Sequence, residues 1–492
     1  MLADIIHSVG LRKREMRCWT PFAILCVGLL LTSGCTVGPK YVRPTTEIPP
    51  TYKVVGNWKP AEPGDEARKG NWWEIFQDPQ LNALEEKLAV SNQSLRAAQD
   101  QFLQARAELR ISRSAQFPLV TVGSTITRQR ESLNRALSSP TAPVYYSDFL
   151  VSGGDFSYEA DVWGRVRRVV ESSRAQAQAS AADLETVRLS LHAELALDYF
   201  TLRGLDAQKQ LFDSNVDAFQ KALDLTESRF RGGLASREDV ELASTQLEQT
   251  RAQDIDLRSA RDQFEHAIAV LIGQPASTFS LSAAPLQAIP PVTPPGLPSE
   301  LLERRPDIAS AERQVASANA QIGVARAAYF PLITLGLVGG FESGAFTSWL
   351  AGPSALWSVG GSALQTVFDA GRRRAISDQA KAAYDGTVAN YQQTVLTSFQ
   401  QVEDSLSDLR VLEEEAKTQD AAVAAANRSL EQATNRYKGG LDTYLTVITA
   451  QSAALVNEQT AVTLLTRRMT SSVLLVKALG GGWNVSKLPP VD

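Results

Sequence analysis

The chain repeats itself at a fixed spacing, and a repeat this long restricts the fold more than any other feature of the sequence. Arg229-Phe230-Arg231-Gly232-Gly233-Leu234 matches Arg436-Tyr437-Lys438-Gly439-Gly440-Leu441 at an offset of 207. Gly164-Arg165 matches Gly371-Arg372, Leu202-Arg203 matches Leu409-Arg410, and Leu271-Ile272-Gly273 matches Ala478-Leu479-Gly480, all at the same offset. Upstream, Phe117-Pro118 matches Phe330-Pro331 at an offset of 213, so the first copy carries six extra residues between Pro118 and Gly164. Two helical stretches alike by chance would not hold register this long. The pattern implies an internally duplicated protomer.

Each copy has the same punctuation. Residues 80–116 lack both proline and glycine, and residues 165–274 and 354–488 lack proline. In the second copy Val388, Tyr391, Val395, Phe399, Val402, Leu406, Leu409 and Leu412 recur at steps of three or four, the spacing of one buried helix stripe. Two glycine pairs break the runs, Gly232-Gly233 and Gly439-Gly440. Glycine just past a helix supplies a left-handed terminal residue. Ser236 and Thr443 follow as N-cap residues for a second helix. Each pair therefore marks a tight helical hairpin. A helix from Arg165 to Arg231 would be roughly 100 Å long at 1.5 Å per residue. That length fits either a coiled-coil rod or a helical barrel that crosses the periplasm.

The segments between the helices bear on that choice. Val120, Val122 and Ile126 alternate with Thr121, Gly123, Thr125 and Thr127. Phe156, Tyr158 and Ala160 alternate with polar residues, as do Ile333, Leu335 and Leu337, and Trp357 and Val359 alternate with Ser358 and Gly360. Such alternation suits a membrane β-barrel with apolar side chains toward lipid and small polar ones toward a lumen. Tyr145, Tyr146, Phe149, Phe341, Trp349 and Trp357 would anchor it at the bilayer interfaces. Two hairpins per chain yield four strands, which cannot close a barrel, and an open edge is not viable in lipid. Several chains must then share one barrel. A soluble hairpin remains the alternative for each segment taken singly.

The first 34 residues read as a targeting segment. Basic residues up to Arg17 precede an apolar run, 22–31, that is too short to span a bilayer. Leu31-Thr32-Ser33-Gly34-Cys35 resembles the bacterial lipobox, in which the cysteine is lipidated, although Thr32 stands where leucine is usual. An ordinary signal peptide with an incidental cysteine is the competing reading, and translation could start at Met1 or Met16. Cys18 and Cys26 fall within the segment to be removed, which leaves Cys35 and no internal disulfide. Thr36 is not the Asp that typically retains lipoproteins in the inner membrane, and the resemblance to lipoprotein sorting signals then implies the outer membrane. A formal charge of −5 and the lack of aromatic residues beside the arginine clusters speak against nucleic acid.

Along nearly the whole mature chain the residues resemble the TolC-like outer-membrane efflux family, in its NodT-type lipoprotein branch. Gly34 to Pro44, Trp72-Trp73-Glu74-Ile75-Phe76 through Leu81, Gly296 to Ile308 and Phe330-Pro331-Leu332-Ile333 carry the likeness. The resemblance implies a homotrimer with a twelve-stranded transmembrane β-barrel, an α-helical periplasmic coiled-coil barrel and an equatorial α/β belt. It implies pairing with a periplasmic adaptor and an inner-membrane pump, often of the resistance–nodulation–division type. Both glycine turns would form the periplasmic tip, and the helix after the second turn would carry the gate. Family members often place acids at the positions of Thr446 or Thr449, and this sequence has none there. Leu445 remains as an apolar constriction, Asp442 is the nearest acid, and the two threonines could equally be plain helix-surface polarity.

The arginines that open the long helices, Arg165, Arg167, Arg168 and Arg372, Arg373, Arg374, could reach lipid phosphates or pair with Asp161 and Asp369. Nothing resembles a catalytic set. His7 lies in the leader, and His192 and His266 stand alone in helical runs. No phosphate loop, cofactor motif or Cys/His metal cluster occurs. The expected organisation is a leader over 1–34, a lipid-anchored extended segment over 35–78, a first efflux repeat over 79–274, a proline-rich connector over 275–300, a second repeat over 301–482 and a tail over 483–492. A periplasmic coiled-coil rod or adaptor lipoprotein is the competing class; it would have no use for alternating strands.

Overall fold

The computed structural model describes residues 36–46, 48–53, 70–130, 132, 145–286, 290–291, 301–484 and 486. The leader, Cys35, part of the connector and the last residues of the tail lie outside them.

Two helices of 67 residues set the scale: α3 (Arg165–Arg231) and α7 (Arg372–Lys438). Each turns into a helix of 35 residues, α4 (Arg237–Leu271) and α8 (Tyr444–Ala478). The starts and ends of both pairs keep the offset read in the sequence. Ahead of the long helices lie α1 (Pro79–Ser91) and α2 (Gln93–Ser114), and in the second half α5 (Leu301–Arg304) and α6 (Pro306–Ala327). Pro79 and Pro306 occupy first-turn positions, where the missing N–H costs no helix bond.

Strands β1 (Leu119–Arg130), β2 (Tyr145–Glu159), β3 (Leu332–Ser343) and β4 (Ala355–Leu364) form one antiparallel sheet in the order β1-β2-β3-β4. The alternation seen in the sequence becomes two chemically distinct faces. The rung Val120–Phe156–Leu337–Val359 is apolar across all four strands. The next, Thr121–Asp155–Val338–Ser358, lies on the other face with one apolar member. Thr334 and Ser362 face each other there, their hydroxyls 2.7 Å apart. Strand β2 carries one extra residue between Ser152 and Gly154, a bulge that keeps its alternation in phase with both neighbours. Ala160 lies just past β2, yet its N–H still donates to the Ile333 carbonyl at 2.9 Å. Every residue of β1 is exposed in the single chain.

The core is a series of clusters strung along the helices. One, around Trp72, Trp73, Phe76, Leu81, Leu88, Phe200 and Met469, joins α1, α3, α4 and α8 at mid-height. A second sets the predicted stripe (Tyr391, Val395, Phe399, Val402 and Leu406) against Ile308 and Val315 of α6 and Leu475 of α8. No helix among the described residues is long and apolar enough to cross a membrane.

The chain after residue 35 is a strap laid over this frame. Val37 N–H donates to the Trp163 carbonyl at 3.1 Å, at the foot of the sheet. The buried Arg168 guanidinium donates to the carbonyls of Val37, Gly38 and Pro39. Farther along, Tyr41 donates to Glu312, and Tyr52 is buried in the second core cluster. The strap places Thr36 against Gly164, so the expected lipidation site Cys35, itself outside the described residues, is the next residue from that contact.

Candidate functional site: the sheet–helix junction and the helical tip

At the junction, carboxylates organise the first turns of the long helices. Gly164 and Gly371 are left-handed, at φ of 79° and 86°, and offer no capping side chain. Asp161 substitutes for one: its carboxylate accepts from the N–H groups of Val166 and Arg167 at 3.0 and 2.9 Å and pairs with the Arg167 side chain at 3.1 Å. Arg165 pairs with Glu159. In the second half Asp369 accepts from Gly371 and Arg373 N–H, both at 3.2 Å, and pairs with the Arg373 side chain at 2.6 Å. The Arg373 side chain holds the Asp369 carboxyl below the usual carboxylate range. Asp369 is one residue closer to its glycine than Asp161 is, so the paired arginine shifts from Arg167 to Arg373. Arg372 and Arg374 are exposed. Of the two fates weighed for these arginines, ion pairing occupies Arg167 and Arg373, and Arg372 and Arg374 are left facing outward.

At the tip both turns close the same way. Leu234 N–H donates to Arg229 O at 2.8 Å and Gly233 N–H to Phe230 O at 2.9 Å; Leu441 and Gly440 repeat this at 2.9 and 3.0 Å. This six-to-one and five-to-two pairing needs a left-handed residue at one position only. Gly233 and Gly440 supply it, at φ of 74° and 72°, whereas Gly232 and Gly439 have negative φ. The restarts differ. Ser236 caps α4 through a reciprocal bond with Asp239. Thr443 makes no side-chain cap. Asp442 takes over: it accepts from Thr443 N–H at 2.9 Å, from the Thr446 hydroxyl at 2.8 Å and from Arg436 at 3.2 Å. The Thr446 hydroxyl, then the Thr443 N–H, hold its carboxyl below the usual range.

The two hairpins meet around Tyr437 and Tyr444, whose rings lie 5.1 Å apart. The Arg229 guanidinium sits 4.7 Å over the Tyr437 ring. Ala243, Val447 and Ala450 complete this cluster. Burial pushes the Tyr444 phenol up to about 12. Tyr444, Val447 and Ala450 face inward, so Leu445, Thr446 and Thr449 fall on the opposite, exposed side of α8. Leu445 is 57% exposed, and Leu234 and Leu441 at the turns are more open still. The Thr449 hydroxyl is satisfied by the Leu445 carbonyl at 2.9 Å.

His192 is not alone, contrary to expectation. Its Nδ1 lies 2.6 Å from Glu85, 107 residues away in sequence, and its ring stacks on Trp73 at 4.4 Å. Burial pushes the Glu85 carboxyl up to about 9 and the His192 imidazole down to about 4, so both are neutral between those values. No local pattern could announce a partner brought in from another helix. His266 is exposed. Among the described residues no cluster of His, Cys, Asp or Glu could hold a metal ion.

The sequence model of the family described as "Outer membrane efflux protein" matches residues 84–274 and again 297–481. The toluene efflux pump outer membrane protein TtgC of Pseudomonas putida is 31% identical over 93% of this chain and 95% of its own length. The pyoverdine export outer membrane protein OpmQ of Pseudomonas aeruginosa is 32% identical over 84% of this chain and 87% of its own. The solved structure of the outer-membrane channel OprN superposes with a TM-score of 0.82 at 32% identity, covering 91% of this chain and all of that one. With both halves matched and the sheet, helices and tips in one shared arrangement, this chain belongs to the outer membrane efflux protein family.

Proposed function

We propose that this chain is one subunit of a passive outer-membrane duct, part of a tripartite system that exports small molecules. In this reading the protomer arose by duplication, and three copies share a twelve-stranded barrel continued by an α-helical barrel through the periplasm. Residues 1–34 are a leader, and Cys35 carries the lipid. The tips around Gly232-Gly233 and Gly439-Gly440 dock a periplasmic adaptor, which links the duct to an inner-membrane pump of the resistance–nodulation–division type. Energy comes from that pump.

One observation carries the reading. The four-stranded sheet has one apolar and one largely polar face, and neither β1 nor β4 has a partner on its outer edge among the described residues. Unpaired edges are not tolerated in hydrocarbon, so such a sheet calls for other copies. A coiled-coil rod leaves it without purpose. Pyoverdine, the cargo of OpmQ, is chemically remote from the toluene of TtgC. On that contrast we place substrate choice in the pump.

The gate lies on the exposed side of α8, with Leu445 as its constriction and Asp442, Thr446 and Thr449 as its polar lining. No acid stands at residues 446 or 449, so a ring that binds cations tightly is not part of it. Single-channel recording in planar bilayers tests this. Leu445→Ala and Gly440→Ala should both raise resting conductance several-fold. A purified chain that never conducts sinks the duct; unchanged conductance in both variants sinks the gate.

A further inference from the structure

The strands carry four carboxylates and two arginines, and the sheet sorts them by sign. Asp148, Asp155, Glu159 and Glu342 all lie on the largely polar face. Arg128 and Arg130 both lie on the apolar face, in line with Val120, Val122 and Ile126, and both are exposed. Strand β1 carries no extra residue, so its alternate residues keep to one side throughout. Every helix joins the sheet at its other end: α2 leads into Leu119, α3 follows Glu159, α6 leads into Leu332 and α7 follows Leu364. The helices reach into the periplasm, so the two arginines stand at the extracellular end.

Val120 to Arg128 spans about 27 Å along the strand at about 3.4 Å per residue. In a tilted barrel strand this puts both arginines at the upper limit of an apolar band about 25 Å tall. Beside them the β3–β4 connection folds back onto the same face. Phe149, opposite Ser343 on that face, packs its ring on Phe346 at 5.9 Å and on Trp349 at 6.3 Å. Serines hold the fold-back: the Ser343 and Ser348 hydroxyls lie 2.8 Å apart, and Ser354 donates to the Ser348 carbonyl at 2.7 Å. Phe346 is nevertheless 66% exposed. The described strands thus place an apolar shelf next to two cations, with no carboxylate on that face.

We propose that Arg128 and Arg130 bind the phosphates of a glycolipid in the outer leaflet, with its acyl chains lying on Ile126, Phe149 and Phe346. This rests on the reading that the apolar face meets lipid as part of a shared barrel. A guanidinium is a planar fork of donors that matches phosphate, and its stem lies comfortably on apolar surface. An arginine that needed only water would do as well on the polar face, beside the carboxylates there. At this height the outward face meets the leaflet whose anionic component, in a bacterial outer membrane, is a phosphorylated glycolipid.

Native mass spectrometry of the purified full-length protein tests this, with lipid A or phosphatidylglycerol added in detergent. The parent should retain lipid A in preference to phosphatidylglycerol. Arg128→Gln with Arg130→Gln should weaken lipid A retention about thirty-fold, and either single substitution about five-fold, the worth of one arginine near an anionic leaflet. Arg128→Lys with Arg130→Lys should keep most of it, and Phe346→Ala should weaken it by less than the paired glutamines do. Unchanged retention in the glutamine variants, single and paired, overturns the site. Equal retention of the two lipids by the parent overturns the glycolipid in favour of any leaflet phosphate. Bilayer conductance of the parent is recorded separately: a conducting parent with unchanged retention in the glutamine variants removes the site alone, whereas a parent that never conducts removes the shared barrel beneath it.

Discussion

The long helix of the first half, α3, is covered by its neighbours in the same chain along much of its length, whereas much of the matching helix α7 is left open. Gly164 and Gly371 begin α3 and α7 with nearly the same φ. A Cβ on Gly164 would meet Thr36 at 2.7 Å, but one on Gly371 would meet nothing within 4 Å. Arg203 is buried and pairs with Asp206 at 2.8 Å, whereas its counterpart Arg410 is exposed. His192, stacked on Trp73 and bonded to Glu85, stands where the second half has Phe399. Similar sequence therefore does not mean similar environment. The strap and α1 line parts of α3 that have no such cover on α7.

The contrast can be broken most severely at the two helix starts. Gly164→Ala should destabilise the chain by about 2–5 kcal/mol, combining left-handed strain with overpacking. Gly371→Ala should cost about 1–2 kcal/mol, from strain alone. Thermal unfolding of the two variants side by side checks this, and equal losses would remove the difference. Next comes Arg168, whose counterpart is Ala375. Arg168→Ala frees three strap carbonyls and should cost about 2–3 kcal/mol, exposing residues 36–53 to limited proteolysis. Arg374→Ala, at an exposed site, should stay within about 0.5 kcal/mol and leave the strap protected.

The buried pair sharpens the comparison through pH. Glu85 has a folded pKa raised to about 9, so it favours the fold fully below its ordinary carboxylate value and progressively less as pH rises toward 9. His192, lowered to about 4, opposes the fold as pH falls from its ordinary value toward 4. Glu85→Gln removes the first effect. Its unfolding temperature should fall less than that of the parent between pH 6 and 9; parallel curves would show that Glu85 does not titrate there. A small effect is expected at the tips. Ser236→Ala should cost about 1 kcal/mol through loss of the capping box. Thr443→Ala should be close to neutral, because Asp442 does the bonding at that turn. Denaturant titration resolves the two.

How much was legible before folding depended on the range of each interaction. The offset of 207, the 67-residue helices between Gly164 and Gly232 and between Gly371 and Gly439, and the buried stripe through Val402 all follow from backbone chemistry and periodicity within a few turns. So did the four strands, since alternation is a two-residue signal. The candidate site was legible as positions but not as contacts. The paired Asp161 and Asp369 were visible, yet which arginine each takes hangs on one residue of spacing.

The sequence by itself determined the repeat and the element lengths, because each is written in local spacing. Only the tertiary structure decided that Arg168 would grip the strap, that Glu85 would find His192, and that Leu445, Thr446 and Thr449 would point away from the Tyr437–Tyr444 cluster. Those contacts join residues far apart along the chain or depend on how one helix is turned against its neighbours. Packing of whole faces, rather than any local motif, fixes such pairings.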